Sequence, residues 1–500
     1  MASGASAASL MLEPDRGVAR FRQPESHPLS GKNHGTSSTW GYLAGKHLLW
    51  QLTPELRSDM ATRTQLEDVE RPSRAATTHV RYWILAIIVI ATAINYLDRA
   101  NLSIAAPIVK KQLHISDVEM GLIFSAFSWT YAALQIPGGW VLDRIGPRIT
   151  FGVALIFWSI VTGSISLARG FGSLLGLRLA LGVAETPAFP ANNALVSRWF
   201  PAKERGLATG AYTAGEYVGL AIAAPLLAWM AVTYGWHSVF YLTGGLGVVF
   251  ALVWLVFIRD SPQSDKRVSV SELNVIEKGG GAVKAAHPEG GGEHAKFSDI
   301  PKLLRHKRMV GALIGQFANT STLFFFLTWF PTYLVEQKHF TLLKAGIMVT
   351  IPYLVALLGT LAAGSWSDWM LRRGVATTIA RKTPIISGLI LSMIVIFDNF
   401  VNNPALVITF FSIAFFAQGM ASATAWALLS DIAPAKQLGL TGGLFNFFAN
   451  AGGALSPLVI GFIVGATGSF AYGLVYIAVI AGIGALSYIF LVDRVERIVL

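Results

Sequence analysis

This chain of 500 residues is 53% hydrophobic and only 13% charged. That composition excludes a soluble globular protein, in which about a quarter of the residues are charged, so a lipid bilayer must solvate most of the chain. The net charge of +11 would favour nucleic acid as a partner of a soluble protein, but the basic residues lie in short loops between apolar segments, and we predict no nucleic-acid partner. The absence of cysteine excludes disulfides, thiolate zinc sites and cysteine nucleophiles.

The first 80 residues are polar and mixed in charge, and they lack an apolar core long enough for a signal peptide. We predict that residues 1–80 form a disordered cytoplasmic extension. An alternative is that translation begins at Met60 and that residues 1–59 are absent from the natural protein. In both cases this segment lies outside the folded part of the chain.

Apolar runs of about 20 residues, long enough to cross a bilayer as helices, begin at Tyr82. Six runs precede and six follow a polar gap, Arg259–Arg308, whose glycine triplets and mixed charges predict a flexible cytoplasmic linker. We therefore predict an all-α membrane protein with six-helix bundles at 81–258 and 309–495. The twelve predicted spans are 82–107, 118–141, 150–168, 172–197, 206–232, 238–258, 309–335, 344–368, 383–400, 404–430, 438–465 and 470–493.

The loops between these spans differ in charge. Those after even-numbered spans carry most of the basic residues, namely Arg144, Arg148, Arg198, Lys203, Arg205, Arg372, Arg373, Arg381, Lys382 and Lys436. Those after odd-numbered spans carry chiefly Lys110, Lys111, Arg169, Lys338 and Lys344. Because cytoplasmic loops are enriched in Lys and Arg, we expect both termini in the cytoplasm and a multi-pass protein of the inner, cytoplasmic membrane.

The two halves resemble one another in sequence. Gly139-x-x-x-Asp143 recurs as Gly364-x-x-x-Asp368, each at the end of a half's second span. Pro201-Ala202-Lys203 recurs as Pro434-Ala435-Lys436, each between a half's fourth and fifth spans. Internal repeats of this kind are typical of transporters, so we predict two pseudo-symmetric halves.

Several motifs carry a resemblance to a known family. The segment Gly139–Arg148, Gly-Trp-Val-Leu-Asp-Arg-Ile-Gly-Pro-Arg, resembles the signature loop of the major facilitator superfamily. The segment Asn95–Ser103 resembles the corresponding segment of its anion:cation symporter branch. The segments 124–129, 135–140, 199–206 and 380–384 are most similar to bacterial glucarate, galactarate and galactonate permeases. The resemblance covers about residues 80–495 and implies the major facilitator fold and secondary transport of a sugar acid.

Ionisable residues inside the first bundle are the candidate coupling groups, because each costs several kcal/mol in a membrane unless it has a partner or a function. Arg178 and Glu185 share a helix face but lie about 10 Å apart along the axis, so each needs a partner on another helix. We predict that Arg178 pairs with Asp98 and that protonation of the acid releases the arginine. The alternative is a static salt bridge. The resemblance implies coupling roles for Asp98 and Glu185.

Arg99 is predicted to be an unpaired guanidinium, because Asp98 is rotated about 100° away from it on the same helix. Its planar fork suits a carboxylate better than a neutral sugar. The resemblance implies substrate contacts at Tyr96, Arg99 and Tyr131, although membrane-interface anchoring is an alternative for the tyrosines. Glu216 stands where related permeases carry Gln; it acts either as a third acid or as a protonated substitute for Gln.

The intramembrane polar residues of the second half are predicted to be uncharged. They form one-sided stripes in the seventh, tenth and eleventh spans, and such amides and hydroxyls can bind a polyol chain. The resemblance favours Gln316, Thr424 and Asn446 as substrate ligands. The alternative is that these residues join neighbouring helices.

The repeated loops are candidate gates that hold the halves together on the cytoplasmic side in one state of the transporter. The gating candidates are Gly139, Asp143, Arg144, Arg148, Asp368 and Arg372. The alternative is that their charges only set the topology. We find no phosphate-binding loop, no activated nucleophile and no further metal-ligating residues in a suitable pattern around His287 or His294. We therefore predict neither an enzyme nor a metal or other cofactor.

The sequence therefore predicts a secondary active transporter that couples entry of protons to import of a hexose-derived sugar-acid anion. The expected partners are a small organic anion, protons and the lipid bilayer, and the expected state is a monomer. Whether the anion carries one carboxylate or two remains open at this stage. The alternatives are exchange of another organic anion, such as a hexuronate, tartrate or an aromatic acid, and a transporter-like solute sensor.

Overall fold

The computed structural model describes residues 78–281, 299–434 and 437–499. The proposed Met60 start, most of the extension 1–80, the middle of the linker and Lys436 lie outside the described residues. The described part is helical throughout and contains no β-strand. This agrees with the predicted all-α class.

The first half contains eight α-helices among its described residues. They are α1 Val80–Gln112, α2 Asp117–Ala133, α3 Gln135–Ile145, α4 Pro147–Ile165, α5 Phe171–Glu185, α6 Ala188–Trp199, α7 Arg205–Tyr234 and α8 Trp236–Phe257. A short 3-10 helix, Pro262–Ser264, and α9, Val270–Lys278, follow in the linker.

The second half begins with a short helix that leads out of the linker. Its α-helices are α10 Ile300–Arg305, α11 Lys307–Thr328, α12 Phe330–Glu336, α13 Leu342–Arg372, α14 Thr377–Ser392, α15 Pro404–Ile432, α16 Leu438–Thr467 and α17 Ala471–Phe490. A 3-10 helix, Met393–Phe400, continues α14.

Ten helical segments of the described residues are long and apolar enough to cross a membrane. The other two predicted spans, 118–141 and 172–197, are each divided into two consecutive helices, α2 with α3 and α5 with α6. Proline accounts for both interruptions, because it lacks the N–H that an unbroken helix would use. Pro137 lies in the first turn of α3, and Pro187 lies between α5 and α6.

The two interruptions pack against each other. A Cβ added to Gly138 would lie 2.7 Å from the Thr186 methyl group, so only glycine permits this approach. On α5, the backbone carbonyl of Leu179 accepts a hydrogen bond from Thr130 of α2 at 2.8 Å. These contacts fix the end of α5, where Glu185 lies, against α2.

A second close approach fixes α7 against α1. A Cβ on Gly215 would lie 2.8 Å from the Val89 carbonyl oxygen, and one on Gly219 would lie 2.7 Å from the Ala93 backbone. Small residues four apart allow two helix backbones to meet in this way. The contact places Glu216 of α7 beside the middle of α1.

The two halves meet at one end of the bundle. We call the end that carries the linker the linker end and the opposite end the far end. Near the far end, a Cβ on Gly121 of α2 would lie 3.1 Å from the Gly461 backbone of α16. The Thr350 hydroxyl of α13 donates to the Ala221 carbonyl of α7 at 3.0 Å, and the Ser103 hydroxyl of α1 donates to a second-half carbonyl at 2.7 Å.

The hydrophobic cores follow the same division. One core at the far end draws on both halves and includes the Phe124–Trp329 and Tyr217–Phe415 ring contacts. At the linker end, one core contains only first-half residues and another only second-half residues. The structure is therefore a state in which the halves are joined at the far end and packed separately at the linker end.

An ion pair also joins the halves at the far end. Lys110, in the last turn of α1, donates to the Glu336 carboxylate of α12 at 2.8 Å. The same ammonium group contacts Asp117 at the start of α2. Lys110 thus ties the end of α1 to both halves.

The prediction of a flexible linker is wrong for residues 259–281. Ser269 caps α9 by accepting from the Glu272 backbone N–H, and the buried Glu272 carboxylate accepts from the backbone N–H groups of Val80 and Arg81 at 3.0 and 3.1 Å. Thr78 also donates to Glu272, at 2.7 Å. A buried acid at the N-terminus of α1 is favourable there, so α9 folds onto the first half.

We predict that Gly461→Val opens the far end, because a side chain at this position would meet the Gly121 backbone. Since the chain has no cysteine, spin labels can be placed at Lys111→Cys and Leu343→Cys without other changes. Electron–electron distance measurements should show a longer-distance population in the Gly461→Val variant. Gly245→Val, at a glycine with open space around it, is the control, and the same distances in both variants would contradict the prediction.

Candidate functional site

A buried ion pair lies at the centre of the first half. The Arg99 Nε of α1 donates to Glu185 Oε2 of α5 at 3.0 Å. The Glu185 side chain is 0% exposed and that of Arg99 is 10% exposed. The prediction that Arg99 is unpaired is therefore wrong: the interruption after α5 brings Glu185 to the α1 face that carries Arg99.

Arg99 keeps unused hydrogen-bonding capacity. Its Nη2 is buried and has no hydrogen-bond partner among the described residues, whereas Asn95 of α1 also forms a hydrogen-bonding contact with Glu185. A guanidinium has five N–H donors, and the pair uses only its Nε–H toward Glu185. The guanidinium therefore keeps N–H donors that Glu185 does not use.

Aromatic rings surround the Arg99 guanidinium. Its central carbon lies 4.9 Å from the Tyr96 ring centroid, 4.8 Å from that of Phe127 and 5.0 Å from that of Tyr131. Cation–π attraction of this kind strengthens when water is excluded. The structure thus brings Tyr96, Arg99 and Tyr131 together, and it adds Phe127, which stacks on Tyr131 at 5.4 Å.

Asp98 lies on another face of α1 and points into the first half. Its side chain is fully buried, and Oδ2 accepts a hydrogen bond from the Trp158 indole N–H of α4 at 3.1 Å. Thr243 of α8 also forms a hydrogen-bonding contact with this carboxylate. The predicted rotation between Asp98 and Arg99 is therefore seen in the structure.

The predicted Asp98–Arg178 ion pair is not formed within the described residues. Arg178 is 3% exposed, and its Nε and Nη1 have no hydrogen-bond partner. Its guanidinium carbon lies 5.3 Å from the Phe127 ring centroid, so this ring contacts both buried arginines. Arg178 still interacts electrostatically with Glu185 and Asp98. The correction follows from side-chain direction, which sequence spacing on one helix does not fix.

Glu216 lies at the edge of this cluster. It is partly exposed, and its carboxyl group faces the Tyr96 hydroxyl in a hydrogen-bonding contact. It also interacts electrostatically with Arg99. The close α1–α7 packing accounts for its position, so a third acid belongs to the cluster around Arg99.

The second-half candidates lie on α11, α15 and α16, across the interface between the halves. Gln316 is 4% exposed and its Oε1 has no partner among the described residues. The Thr424 hydroxyl donates to the Met420 carbonyl of its own helix at 2.9 Å. Asn446 is partly exposed, and its backbone carbonyl accepts from the Asn450 amide at 2.8 Å. Gln316 therefore keeps an unused acceptor in this state.

Comparison with known proteins decides the family. A family model described as Major Facilitator Superfamily matches residues 88–380. The chain belongs to this superfamily. Because its members are transporters and ten apolar helical segments are described, the protein is a multi-pass membrane transporter and not an enzyme.

Two curated relatives of the transporter cover most of its length. The D-galactonate transporter of Escherichia coli O6:H1 is 45% identical over 419 residues, which are 84% of this chain and 97% of the relative. The probable galactarate/D-glucarate transporter GudP of Escherichia coli K12 is 41% identical over 430 residues, with coverage of 84% and 95%. The resemblance of the sequence motifs to such permeases is confirmed.

Solved structures show the same fold. A bacterial homolog to human lysosomal transporter Spinster, in an inward-facing and occupied conformation, superposes with a TM-score of 0.67 at 18% identity. The superposition covers 84% of this chain and 98% of that chain. The major facilitator fold is therefore confirmed.

Two of the four gating candidates of the first half are exposed in this state. Asp143 and Arg144 are exposed, and Arg144 stacks on the Trp140 ring at 3.8 Å. Arg148 donates from its backbone N–H to Asp260 at 2.8 Å. A Cβ on Gly139 would meet no atom within 4 Å.

The gating candidates of the second half also form their contacts within their own half. Asp368 lies 3.7 Å from Arg381, which also pairs with Asp431 at 2.8 Å. Arg372 is exposed at the end of α13, and its neighbour Arg373 stacks on Trp369 at 4.4 Å. The ion pairs and ring contacts given for these gating candidates lie within single halves, as expected when the linker end is open.

Sequence reasoning missed three residues of the site. Trp158 is an aromatic residue of an apolar run and carries no distinguishing signal, whereas Phe127 lies in the 124–129 motif without being named there as a site residue. Asn95 is buried, and its side chain forms a hydrogen-bonding contact with Glu185. Its spacing of three from Asp98, which places both on one side of α1, is the signal that could have found it. The described residues contain no group of three or more His, Asp or Glu side chains that could hold a metal ion.

We predict strong coupling between Arg99 and Glu185 in the stability of the protein. Arg99→Ala leaves the Glu185 carboxylate buried without its hydrogen-bonded cation and should cost about 3 kcal/mol, whereas Arg99→Ala combined with Glu185→Gln should cost clearly less than the two single effects together. The coupling is obtained from the free energies of unfolding, measured in detergent, of wild type, the two single variants and the double variant.

The exposed Arg308–Asp493 pair, at 2.7 Å, is the control for this cycle. Its coupling should stay below about 1 kcal/mol, because water screens surface ion pairs. Additive effects of the Arg99 and Glu185 substitutions would show that the buried pair contributes no coupling.

Proposed function

We propose that this transporter is a proton-coupled symporter that imports a hexose-derived sugar-acid anion across the cytoplasmic membrane. The observation that carries the proposal is the Arg99–Glu185 pair: a buried acid occupies the guanidinium that suits a carboxylate substrate. The names of the relatives, a D-galactonate transporter and a probable galactarate/D-glucarate transporter, support the substrate class.

Competition for Arg99 couples the proton to the anion. While Glu185 is ionised, it holds the Nε side of the guanidinium. A proton on Glu185 removes this attraction and frees Arg99 to bind the substrate carboxylate through two charge-assisted hydrogen bonds. Release of the proton restores the ion pair and expels the anion. Each anion therefore travels with at least one proton.

Asp98 and Arg178 form the second part of the coupling machinery. Arg178 has two unpartnered nitrogens between the acids, so it can stabilise whichever carboxylate is ionised. Asp98 is bound by the Trp158 indole N–H of α4 and also interacts with Thr243 of α8. Loss or gain of a proton at Asp98 would then change the packing of α1 against α4, which links protonation to helix movement.

The sugar hydroxyls are bound by uncharged groups. Tyr96 and Tyr131 lie beside Arg99, and Gln316, Thr424 and Asn446 approach from the second half when the halves close around the substrate. Multiple neutral hydrogen bonds orient a polyol without a further charge.

Alternating access moves the two halves about this site. The described state is closed at the far end, and we assign the far end to the outside of the cell because the basic loops lie at the linker end. Twelve crossings, cytoplasmic termini and a monomer complete this arrangement. In the opposite state, Gly139, Asp143, Arg144 and Arg148, with Asp368 and Arg372, join the halves at the linker end.

Glu216 favours a substrate with one carboxylate. Its carboxyl group lies by Tyr96, close to the place where the chain of a bound sugar acid would extend from Arg99. An ionised Glu216 would repel a second carboxylate. We therefore propose an aldonate, such as galactonate, as the preferred substrate over an aldarate.

The coupling role of Glu185 is tested with Glu185→Gln in proteoliposomes. The variant should bind substrate and exchange it across the membrane but lose accumulation driven by a pH gradient, because Gln cannot carry the proton. Uptake is measured for a panel of aldonates, aldarates and hexuronates, with and without the gradient. Glu277→Gln, at an exposed acid of α9, is the control, and unimpaired accumulation by Glu185→Gln would refute the coupling role.

The role of Glu216 is tested by comparing substrates. Glu216→Gln removes the repulsion and should raise aldarate uptake relative to aldonate uptake about tenfold, which corresponds to about 1.4 kcal/mol. Competition between galactarate and labelled galactonate gives the ratio. The same ratio in wild type and variant would remove Glu216 from the specificity of the site.

A further inference from the structure

A buried acid in the second half is outside the site described above. Asp398 lies in the 3-10 helix Met393–Phe400, near the far end, and its side chain is 0% exposed. Both of its carboxylate oxygens are without a hydrogen-bond partner in the described chain. Sequence reasoning named only amides and hydroxyls in the second half and missed this buried acid at the end of the ninth span.

The nearest cation does not pair with this carboxylate. Lys338 donates to the backbone carbonyls of Asp398 and Val401 at 2.7 and 2.6 Å. These are the carbonyls at the C-terminal end of the 3-10 helix, which have no partner within it. Lys338 therefore uses two of its three donors on the backbone, and no ion pair with the Asp398 side chain is found in the described residues.

A tyrosine hydroxyl shares the pocket. Tyr333 of α12 is 1% exposed, its hydroxyl has no hydrogen-bond partner among the described residues, and it interacts electrostatically with Asp398. Its ring packs against Phe411 at 5.3 Å and Phe470 at 5.7 Å. Lys338 and Tyr333 are the charged and titratable groups that act on Asp398, and α14, α15 and α17, which pack against this 3-10 helix, contribute none to it within the described chain.

An ionised carboxylate in this pocket would be unstable. Removal of a charge from water without a donor or a paired cation costs several kcal/mol. A carboxylic acid avoids this cost, and its O–H can donate to the Tyr333 hydroxyl, which also needs a partner. We propose that Asp398 is a proton-binding site in the second half and that Tyr333 is the hydrogen-bond partner of the bound proton.

The position of the site connects it to the far end. Tyr333, Glu336 and Lys338 lie within six residues of one another, and Glu336 forms the ion pair with Lys110 of the first half. Breakage of that ion pair frees the segment that covers Asp398. Water then reaches the acid, and Lys338 can turn from the backbone carbonyls to the carboxylate. The proton on Asp398 thus exchanges with solution when the far end opens.

The experiment compares unfolding of the full chain in detergent for wild type and Asp398→Asn between pH 5 and 7. An unfolded aspartate is ionised above its ordinary pKa of about 4, whereas the folded protein keeps the proton. Unfolding therefore releases one proton, so the unfolding equilibrium constant of wild type relative to Asp398→Asn should rise about tenfold per pH unit. A ratio that does not change with pH would overturn the proposal.

A second variant keeps the test informative if Asp398→Asn does not fold. Tyr333→Phe removes the hydroxyl that accepts the hydrogen bond from protonated Asp398. The folded variant should therefore lose this proton at a lower pH than wild type, so the pH range over which unfolding releases a proton should end at a lower pH. Proton release identical to that of wild type across the range would overturn the role of Tyr333.

Asp493→Asn is the control for the opposite behaviour. Hydrogen bonds from the Arg494 backbone N–H, Lys307 and Arg308 hold the pKa of the Asp493 carboxyl below its usual range. Its stabilising effect is therefore fully present above pH 4 and is lost only as the pH falls further. The ratio of the unfolding equilibrium constants of wild type and Asp493→Asn should therefore stay constant between pH 5 and 7. The pH dependence due to Asp398 should be the same when Glu185→Gln is present in both proteins. The result for Asp398 is therefore independent of whether Glu185 has a coupling role.

Discussion

The buried pair of Arg99 and Glu185 is the interaction on which the account of this transporter depends. Charges in a membrane interior must be paired, neutralised or solvated, since an isolated charge costs several kcal/mol. Here a 3.0 Å hydrogen bond joins an acid from α5 to a guanidinium from α1, and three aromatic rings contact the cation. In the mechanism that we propose, a proton on Glu185 releases Arg99 to the incoming anion. Binding and protonation would then be one process.

The rest of the fold positions this pair and leaves the two halves separately packed at the linker end. The interruptions after α2 and α5 pack together at Gly138 and Thr186, which sets the height of Glu185. The glycines of α7 bring Glu216 to α1. Joining of the halves at the far end, with separate cores at the linker end, lets each half move as a unit about the site. The charged cluster around Arg99 lies within the first half, so this movement need not break its scaffold.

Much of this arrangement follows from sequence, but the partners of the charges do not. Apolar runs located the helical segments, and a repeat within the chain located the two halves. The 3.6-residue period correctly separated Asp98 from Arg99 on α1. It could not show that Glu185 reaches Arg99, because that depends on the rotation of α5 about its axis and on a break at Pro187. Asp398 was missed because one acid at the end of an apolar run resembles a helix terminus, and α9 was missed because a nine-residue helix among charges gives little periodic signal.

Proton uptake on anion binding tests the central claim most directly. Purified protein in weakly buffered detergent solution is mixed with galactonate near neutral pH, and a pH indicator records the protons taken up. Competition for Arg99 predicts that wild type takes up about one proton for each anion bound, whereas Glu185→Gln binds the anion without proton uptake. Binding by wild type without any proton uptake, or equal uptake by the variant, would contradict the account.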